Sequence, residues 1–349
     1  MQSPGSPRSR RSLQAPRARV AAACTVVALC ALVAAVSAPV AASAHGAAEA
    51  PAELALRAGL NDPRDPNIAV LEFLPEKVSV IAGEKVTWRF DGPEPHSVTF
   101  VPPGAAVPSA ETDPSLFVGS GTGTDYDGST LVNSGVLPLG TQTSGATFSM
   151  SFSKPGDYTY YCVLHPNMVA TVTVGAADID TQAEANRAAR RQRVEFLAEG
   201  RAAKRKLTAT KPRGTKNGDG STTWRVLMGA STVHTDVLAF APTPTKVKAG
   251  DSVTFVNNSQ APHTASFGGS LVPQNPLVPD VQQPQPGPSP QTLTAGVYLN
   301  TGWLPPNTGA SGAPLAARSY TYSVPDPGTY EYVCVLHLPS GMAAELDAS

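Results

Sequence analysis

One four-residue sequence occurs twice in this chain of 349 residues, and it constrains the fold more than any other feature. Cys-Val-Leu-His occupies residues 162–165 and again residues 334–337. Each copy follows a segment of alternating aromatic residues, which is typical of a β-strand. An offset of 167 maps residues 73–96 onto residues 240–263, and an offset of 172 aligns the two Cys segments. Self-similarity on this scale predicts two tandem copies of one domain.

The two copies repeat a set of metal-binding side chains in the same order. A Pro-His pair lies upstream of each Cys segment, and a methionine lies downstream of it. Two histidines, a cysteine and a weak axial methionine suit a blue-copper electron-transfer centre. A single buried Cys or Met would by itself indicate core packing, but the full set occurs twice. The predicted ligands are His96, Cys162, His165 and Met168 in the first copy, and His263, Cys334, His337 and Met342 in the second.

These motifs resemble those of the cupredoxin superfamily, specifically the plastocyanin/azurin-like family. The resemblance covers residues 66–175 and 232–347. It implies an all-β fold class, with two Greek-key β-sandwich (cupredoxin-like) domains joined by a helical and flexible linker. It also implies one type 1 copper ion per domain, alternating between Cu(I) and Cu(II). In the family the histidine of the Cys loop is the ligand nearest solvent, so His165 and His337 are expected to take up and release electrons.

The chain departs from the family at the residue after the first histidine. Many members have an asparagine there that ties the two ligand loops together, whereas this chain has Ser97 and Thr264. A hydroxyl can make an equivalent hydrogen bond, but the groups that surround the ligands and tune the metal are altered.

The composition changes along the chain predict five segments. They are a signal peptide over 1–44, an N-terminal lead-in over 45–67, the first domain over 68–175, a linker over 176–222 and the second domain over 223–349. Residues 1–44 combine arginines, an apolar stretch and an Ala-Ser-Ala cleavage signal at 42–44, which is typical of export. The expected location is therefore secreted, periplasmic or at the cell surface, with membrane attachment only if the leader stays uncleaved. Removing the leader leaves Cys162 and Cys334, which we expect to be free because they occupy equivalent positions of separate repeats.

The segments outside the two domains have weaker signals. Residues 45–66 are rich in Ala and Pro and suggest an irregular or partly helical lead-in. A helix is predicted from Asp178 to about Lys206, because Thr181 and Glu184 form a capping box. Residues 211–220 are predicted to be flexible. The basic residues of this region are interpreted as the solvated face of a helix that spaces two domains, and the alternative is a docking site for an acidic partner.

The net charge of −1 argues against a nucleic-acid partner, because neutralising phosphates needs a basic excess. The leading hypothesis is an exported, monomeric electron carrier that works with redox partner proteins. One alternative is a copper-binding or storage protein without a dedicated redox role. A small copper oxidoreductase is disfavoured, because such enzymes use further His-x-His pairs and only His45 and His234 are spare here. The chain is therefore not predicted to be an enzyme.

Overall fold

The computed structural model describes residues 53–349 except 111, 122, 139–144, 176 and 308–313. The predicted signal peptide, its cleavage site and His45 lie outside the described residues. The strands, numbered in chain order, are β1 Glu53–Asp62, β2 Asp65–Leu74, β3 Lys77–Val80, β4 Lys85–Phe90, β5 Thr99–Phe100, β6 Gly123–Tyr126, β7 Val132–Asn133, β8 Ala146–Phe152, β9 Gly156–Tyr161, β10 Val169–Val174, β11 Arg213–Lys216, β12 Thr222–Ser231, β13 Thr235–Ala241, β14 Thr245–Val247, β15 Ser252–Asn257, β16 Ser266–Phe267, β17 Pro284–Gln285, β18 Gln291–Thr292, β19 Leu299–Thr301, β20 Ser319–Ser323, β21 Gly328–Val333 and β22 Ala343–Ala348.

Two α-helices interrupt the strands within these residues. Helix α1, Gln182–Thr208, begins at the predicted capping box, in which Thr181 and Glu184 satisfy each other's backbone N–H groups. Helix α2, Pro279–Gln282, is a single turn in the insert of the second copy. Its first residue is a proline, whose fixed φ suits a helix start. Helical structure is therefore also present outside the segment that connects the two copies. Neither helix is long and apolar enough to cross a membrane.

The described strands form two Greek-key β-sandwiches that share one sheet. The shared sheet has the order β18-β20-β15-β12-β13-β2-β1-β4-β8-β6, with β11 added beside β12. The second layer of the first sandwich is β3-β10-β9-β5-β7, and that of the second is β14-β22-β21-β16-β19-β17. The all-β fold class that the sequence predicted is confirmed.

The two cores are built from equivalent aromatic side chains. In the first sandwich the rings of Trp88 and Tyr160 meet edge to face at 5.1 Å. In the second, the equivalent Phe255 and Tyr332 meet in the same way at 5.0 Å. All four are buried, and they lie on strands whose side chains alternate between the core and solvent. Each ligand loop therefore starts from a rigid strand.

The sandwiches are joined edge to edge through β2 and β13. These strands pair antiparallel, with Val70 opposite Thr235 and Ile68 opposite Val237. Helix α1 packs across this joint, because Phe196 is buried against Ile68 and Val70. One face of the helix is thus buried, and the interpretation of α1 as a solvated spacer is wrong for that face.

Two segments outside the predicted domains belong to the shared sheet. Residues 53–62 of the predicted lead-in are strand β1, which pairs antiparallel with β2 and parallel with β4. Residues 213–216 of the predicted flexible linker are strand β11, which forms a hairpin with β12 around Asn217. In both places the backbone pairs with a neighbouring strand, which overrides a weak local preference.

Candidate metal centres

The first cluster joins the segment after β4 to the loop between β9 and β10. Nδ1 of His96 lies 3.1 Å from Nδ1 of His165, and Sγ of Cys162 lies 3.5 Å from the same His165 nitrogen. The three side chains are buried, and their ligand atoms lie within 4.8 Å of one another. Met168, also buried, closes the loop, and its carbonyl oxygen accepts from the Cys162 N–H at 3.1 Å. Donors this close fit one ion with bonds of about 2.0–2.3 Å.

The second cluster repeats this arrangement in the second sandwich. Nδ1 of His263 lies 3.0 Å from Nδ1 of His337. Sγ of Cys334 lies 3.3 Å from His337 Nδ1 and 3.7 Å from His263 Nδ1. Met342 is fully buried, and its carbonyl oxygen accepts from the Cys334 N–H at 3.0 Å. Both cysteines are free, as the sequence predicted.

Hydroxyl groups tie the two ligand loops of each copy together. Ser97 Oγ accepts from the Val163 N–H at 2.9 Å, and Thr264 Oγ1 accepts from the Val335 N–H at 3.0 Å. The backbone N–H of Ser97 donates to Cys162 Sγ at 3.3 Å, and the backbone N–H of Thr264 donates to Cys334 Sγ at the same distance. The hydroxyls of Ser97 and Thr264 thus do make hydrogen bonds between the two loops.

The long inserts hold the upstream histidines in place. His96 exchanges two backbone hydrogen bonds of 2.8 Å with Leu137, which follows β7. His263 makes the same pair with Leu304, at 3.2 and 2.8 Å. A backbone pinned on both sides fixes where each imidazole starts. The structured part of each insert therefore serves the adjacent cluster.

The outer nitrogens of the upstream histidines differ between the copies. Ser259 Oγ lies 2.7 Å from His263 Nε2, whereas His96 Nε2 is buried without a hydrogen-bond partner. Gly59 packs directly against His96 Nε2, and a Cβ at Gly59 would lie 1.9 Å from that nitrogen. The two sets of candidate ligands are alike, but the residues that surround them differ.

One carboxylate, missed by the sequence analysis, lies between the two clusters. Glu94 Oε1 is 3.3 Å from Nε2 of His165 and 3.4 Å from Nε2 of His337. The His165, His337 and Glu94 side chains are only 4, 3 and 2 % exposed. The expectation that His165 and His337 form solvent-facing edges is therefore wrong, because the joined sandwiches turn these edges toward each other. A sequence signal existed, since the repeat places Ala261 at the position equivalent to Glu94.

Charge on these buried groups is mutually stabilised. Burial alone would raise the pKa of Glu94, but the two histidines outweigh this and hold it well below its usual range. Burial would likewise raise the pKa of the Cys162 and Cys334 thiols, yet the nearby imidazoles, above all His165 and His337, lower both strongly. Burial opposes a charged His165, but the Cys162 thiolate and Glu94 raise its pKa to about 10. Thiolates, the form that binds metal, are thus favoured.

A cavity of about 880 Å³ lies beside the two inward-facing histidines. Its wall is mostly apolar and combines both copies, including Phe117 of the first insert and Trp303 of the second. The rings of these two residues lie 6.3 Å apart. The inserts therefore meet next to the two candidate metal sites.

Comparison with known proteins identifies the family of this chain. Residues 64–175 match the copper binding proteins of the plastocyanin/azurin family. Chloroplast plastocyanin of Oryza sativa subsp. indica is 31 % identical over 127 residues, which are 36 % of this chain and 64 % of the rice protein, so the chain spans less than two thirds of that relative. Plastocyanin of Solanum tuberosum is 32 % identical over 113 residues, covering 30 % of this chain and 88 % of the potato protein. The crystal structure of amicyanin from Paracoccus versutus covers 36 % of this chain and 86 % of its own, at 21 % identity and a TM-score of 0.23. The chain belongs to the plastocyanin/azurin family of copper-binding proteins.

Proposed function

We propose that this chain is an exported electron carrier that holds one copper ion in each sandwich. The observation that carries the proposal is the duplicated, buried set of two Nδ1 atoms and one Sγ within 4.8 Å. This donor set, with a methionine on the same loop, suits copper in electron-transfer sites. Copper supplies one-electron chemistry by alternating between Cu(II) and Cu(I).

The proposed ligands are those predicted from the sequence: His96, Cys162, His165 and Met168, and His263, Cys334, His337 and Met342. We keep the division into two copper-binding domains as part of the proposal, with the first extended N-terminally to Glu53. Export, action as a monomer and exchange with redox partner proteins belong to the same proposal.

The protein's own groups would hold the ligands in one arrangement. The imidazoles favour the thiolate form of each cysteine. Backbone N–H groups aimed at each Sγ fix the sulfur without a flexible side chain. Burial in two aromatic cores limits movement of the ligand loops. A rigid ligand set lowers the reorganisation that accompanies a change of charge at the site.

A storage role uses the same ligands, so a redox measurement must separate the two functions. An electron carrier is expected to show an intense visible band from each Cu(II)–thiolate centre and reversible one-electron reduction. Reversible potentials outside the range of biological donors, or exchange too slow to measure, would favour storage instead.

The test is the absorption spectrum and copper content of the mature protein beside Cys162→Ala and Cys334→Ala. We expect two copper ions per chain in the wild type, and each variant to lose one ion and about half of the visible band. Val80→Ala, which truncates a buried side chain of β3, is the control and is expected to keep both ions. A colourless copper-loaded protein, or copper retained in full by both Cys variants, would refute the proposal.

A further inference from the structure

The two clusters meet at one oxygen atom. Oε1 of Glu94 contacts Nε2 of both His165 and His337, at 3.3 and 3.4 Å. The opposite nitrogen of each ring, Nδ1, lies in a different metal cluster. The other carboxylate oxygen of Glu94 is buried and has no hydrogen-bond partner. The charge of this group is therefore directed at two histidines and little else.

The duplication does not supply a second carboxylate. Ala261 occupies the equivalent position in the second copy and is fully buried. A histidine that ligates a metal usually donates its other N–H to a carboxylate, carbonyl or water, which orients the ring and raises its basicity. Here one glutamate from the first copy is placed to do this for both copies.

One contact within the first copy and two contacts between the copies hold Glu94 in position beside both rings. Its backbone N–H donates to Asn61 Oδ1 at 3.2 Å. Asn67 Nδ2 donates to the carbonyl of Ser340, in the second ligand loop, at 2.7 Å. In the other direction, Asn167 of the first ligand loop contacts Gln260, close to His263 in sequence, at 3.4 Å. Residues of both sandwiches thus hold Glu94 between His165 and His337.

We propose that Glu94 is a positioning residue shared by both metal centres, and that it makes the two centres interdependent. The inference rests on the proposed function, because it assumes that both clusters hold copper. A negative charge beside both rings stabilises the more positive Cu(II) state at each centre. One oxygen also serves two donors, so a stronger contact with one ring weakens its contact with the other.

Removing the negative charge of Glu94 is expected to shift the midpoint potentials of both centres in the same direction. In Glu94→Gln the volume is kept and the charge is removed, so reduction becomes easier at both centres. We expect at least a tenfold shift of the Cu(II)-to-Cu(I) ratio toward Cu(I) at fixed applied potential, which equals about 59 mV for one electron. Glu94→Ala, which installs the residue of the second copy, is expected to shift both centres in the same direction.

The control is Glu84→Gln. Glu84 is another buried glutamate of the first copy, and its carboxylate accepts from the Ile81 N–H in the turn before β4. Glu84 precedes β4, whereas Glu94 follows it. The substitution therefore removes the same charge, but at the opposite end of this strand. We expect it to lower stability without changing the two midpoints.

The contact itself can be tested without metal. Nitrogen-15 NMR of the copper-free protein is expected to show slowly exchanging, downfield Nε2–H signals from both His165 and His337. Both signals are expected to move in Glu94→Gln, and neither in Glu84→Gln. A purely structural role for Glu94 would change unfolding without moving both midpoints.

The outcomes distinguish a failure of the shared role of Glu94 from a failure of the proposed function. If the wild type forms two coloured centres but Glu94→Gln shifts one midpoint or none, the shared role is overturned and the electron-carrier function stands. If only one histidine signal responds in the copper-free protein, the shared role is also overturned. If the wild type forms no coloured centre, the proposed function fails and the coupling of centres fails with it.

Discussion

Ser259 Oγ lies 2.7 Å from Nε2 of His263. The first copy has Gly92 at the equivalent position, and the outer nitrogen of His96 has no hydrogen-bond partner. A hydrogen bond to the outer N–H of a ligating histidine raises its basicity and favours the more highly charged metal. The two copies therefore place their upstream histidines in different electronic surroundings.

We expect the two centres to have different midpoint potentials that a titration resolves, and Ser259→Ala to raise that of the second centre by more than that of the first. The loops that carry the methionines also differ, with two residues between His165 and Met168 and four between His337 and Met342. Axial geometry is a lever on the potential of such centres. A redox titration followed at the visible band checks both statements. One transition with both sites loaded, or equal shifts at both centres in Ser259→Ala, would contradict them.

Gly59→Ala is expected to remove copper from the first centre alone. Gly59 has φ +64°, and a Cβ there would overlap the His96 ring at Nε2. Gly83→Ala is the matched control, because Gly83 has φ +84° but a Cβ added there would meet no atom within 4 Å. The control is expected to keep both copper ions and to lose only the ~1–2 kcal/mol typical of a left-handed non-glycine residue.

The reciprocal variant is Gly229→Ala. Its Cβ would lie 2.8 Å from His263 Nε2, so the second centre is expected to lose copper while the first keeps it. Copper content and the visible spectrum of each purified variant provide the measurement. Loss of both ions in either variant would show that the effect is global unfolding rather than displacement of one histidine.

Gly200→Ala is expected to destabilise the joint between the sandwiches. Alanine is normally about 1 kcal/mol better than glycine inside a helix. A Cβ at Gly200 would, however, lie 2.4 Å from Cγ2 of Ile68 on β2, and overpacking of this kind costs about 1–3 kcal/mol. Urea unfolding is expected to give a lower free energy of unfolding than the wild type. Gly218→Ala, which has open space around the new methyl group, serves as control, and a stabilised Gly200→Ala would contradict the packing argument.

The copper-free protein is expected to lose stability toward both ends of the pH range. The lowered pKa of Glu94 contributes stability that is present above its unfolded value of about 4.3 and is lost as the pH falls below it. The pKa of His165, raised to about 10, contributes stability that is complete below about 6.5 and is lost as the pH rises from there to about 10. Urea unfolding from pH 3 to pH 10 tests both limbs.

Glu94→Gln is the informative comparison in that experiment. Removing one partner of a buried ion pair costs about 3–5 kcal/mol, so the variant is expected to be less stable near neutral pH. Its acid limb should flatten, because the titrating group is gone. If the free energy of unfolding of the variant falls as steeply at low pH as that of the wild type, carboxylates other than Glu94 cause the acid-induced loss of stability.

The sequence indicated which histidines and cysteines would lie together because it contains the set twice. A thiolate, imidazoles and a thioether in the same order and on matching strands leave few other interpretations. A hydroxyl at Ser97 and Thr264 is able to tie the loops, and the structure shows that both do so. Glu94 escaped notice because it acts between the copies, where the repeat has no counterpart. Comparing the copies for a difference, Glu94 against Ala261, would have found it.

The sequence was least informative where sheet pairing decides the conformation. Residues 53–62 contain Ala, Leu and Glu but no β-branched residue, so their propensity does not favour a strand. They become β1 because β2 and β4 flank them on either side. Residues 217–220, Asn-Gly-Asp-Gly, suggested a flexible linker, although such turn residues also suit a hairpin. That hairpin is what forms between β11 and β12.

Because β2 pairs with β13, each copy of the duplicated sequence covers a strand edge of the other. Cutting it near α1 would leave each half with an exposed, unpaired strand edge that invites aggregation. The first half would also keep Glu94 without His337, and the second half would keep His337 without the carboxylate that contacts its Nε2. The two copies are therefore expected to fold and function as one unit, as the two subunits of an obligate heterodimer do.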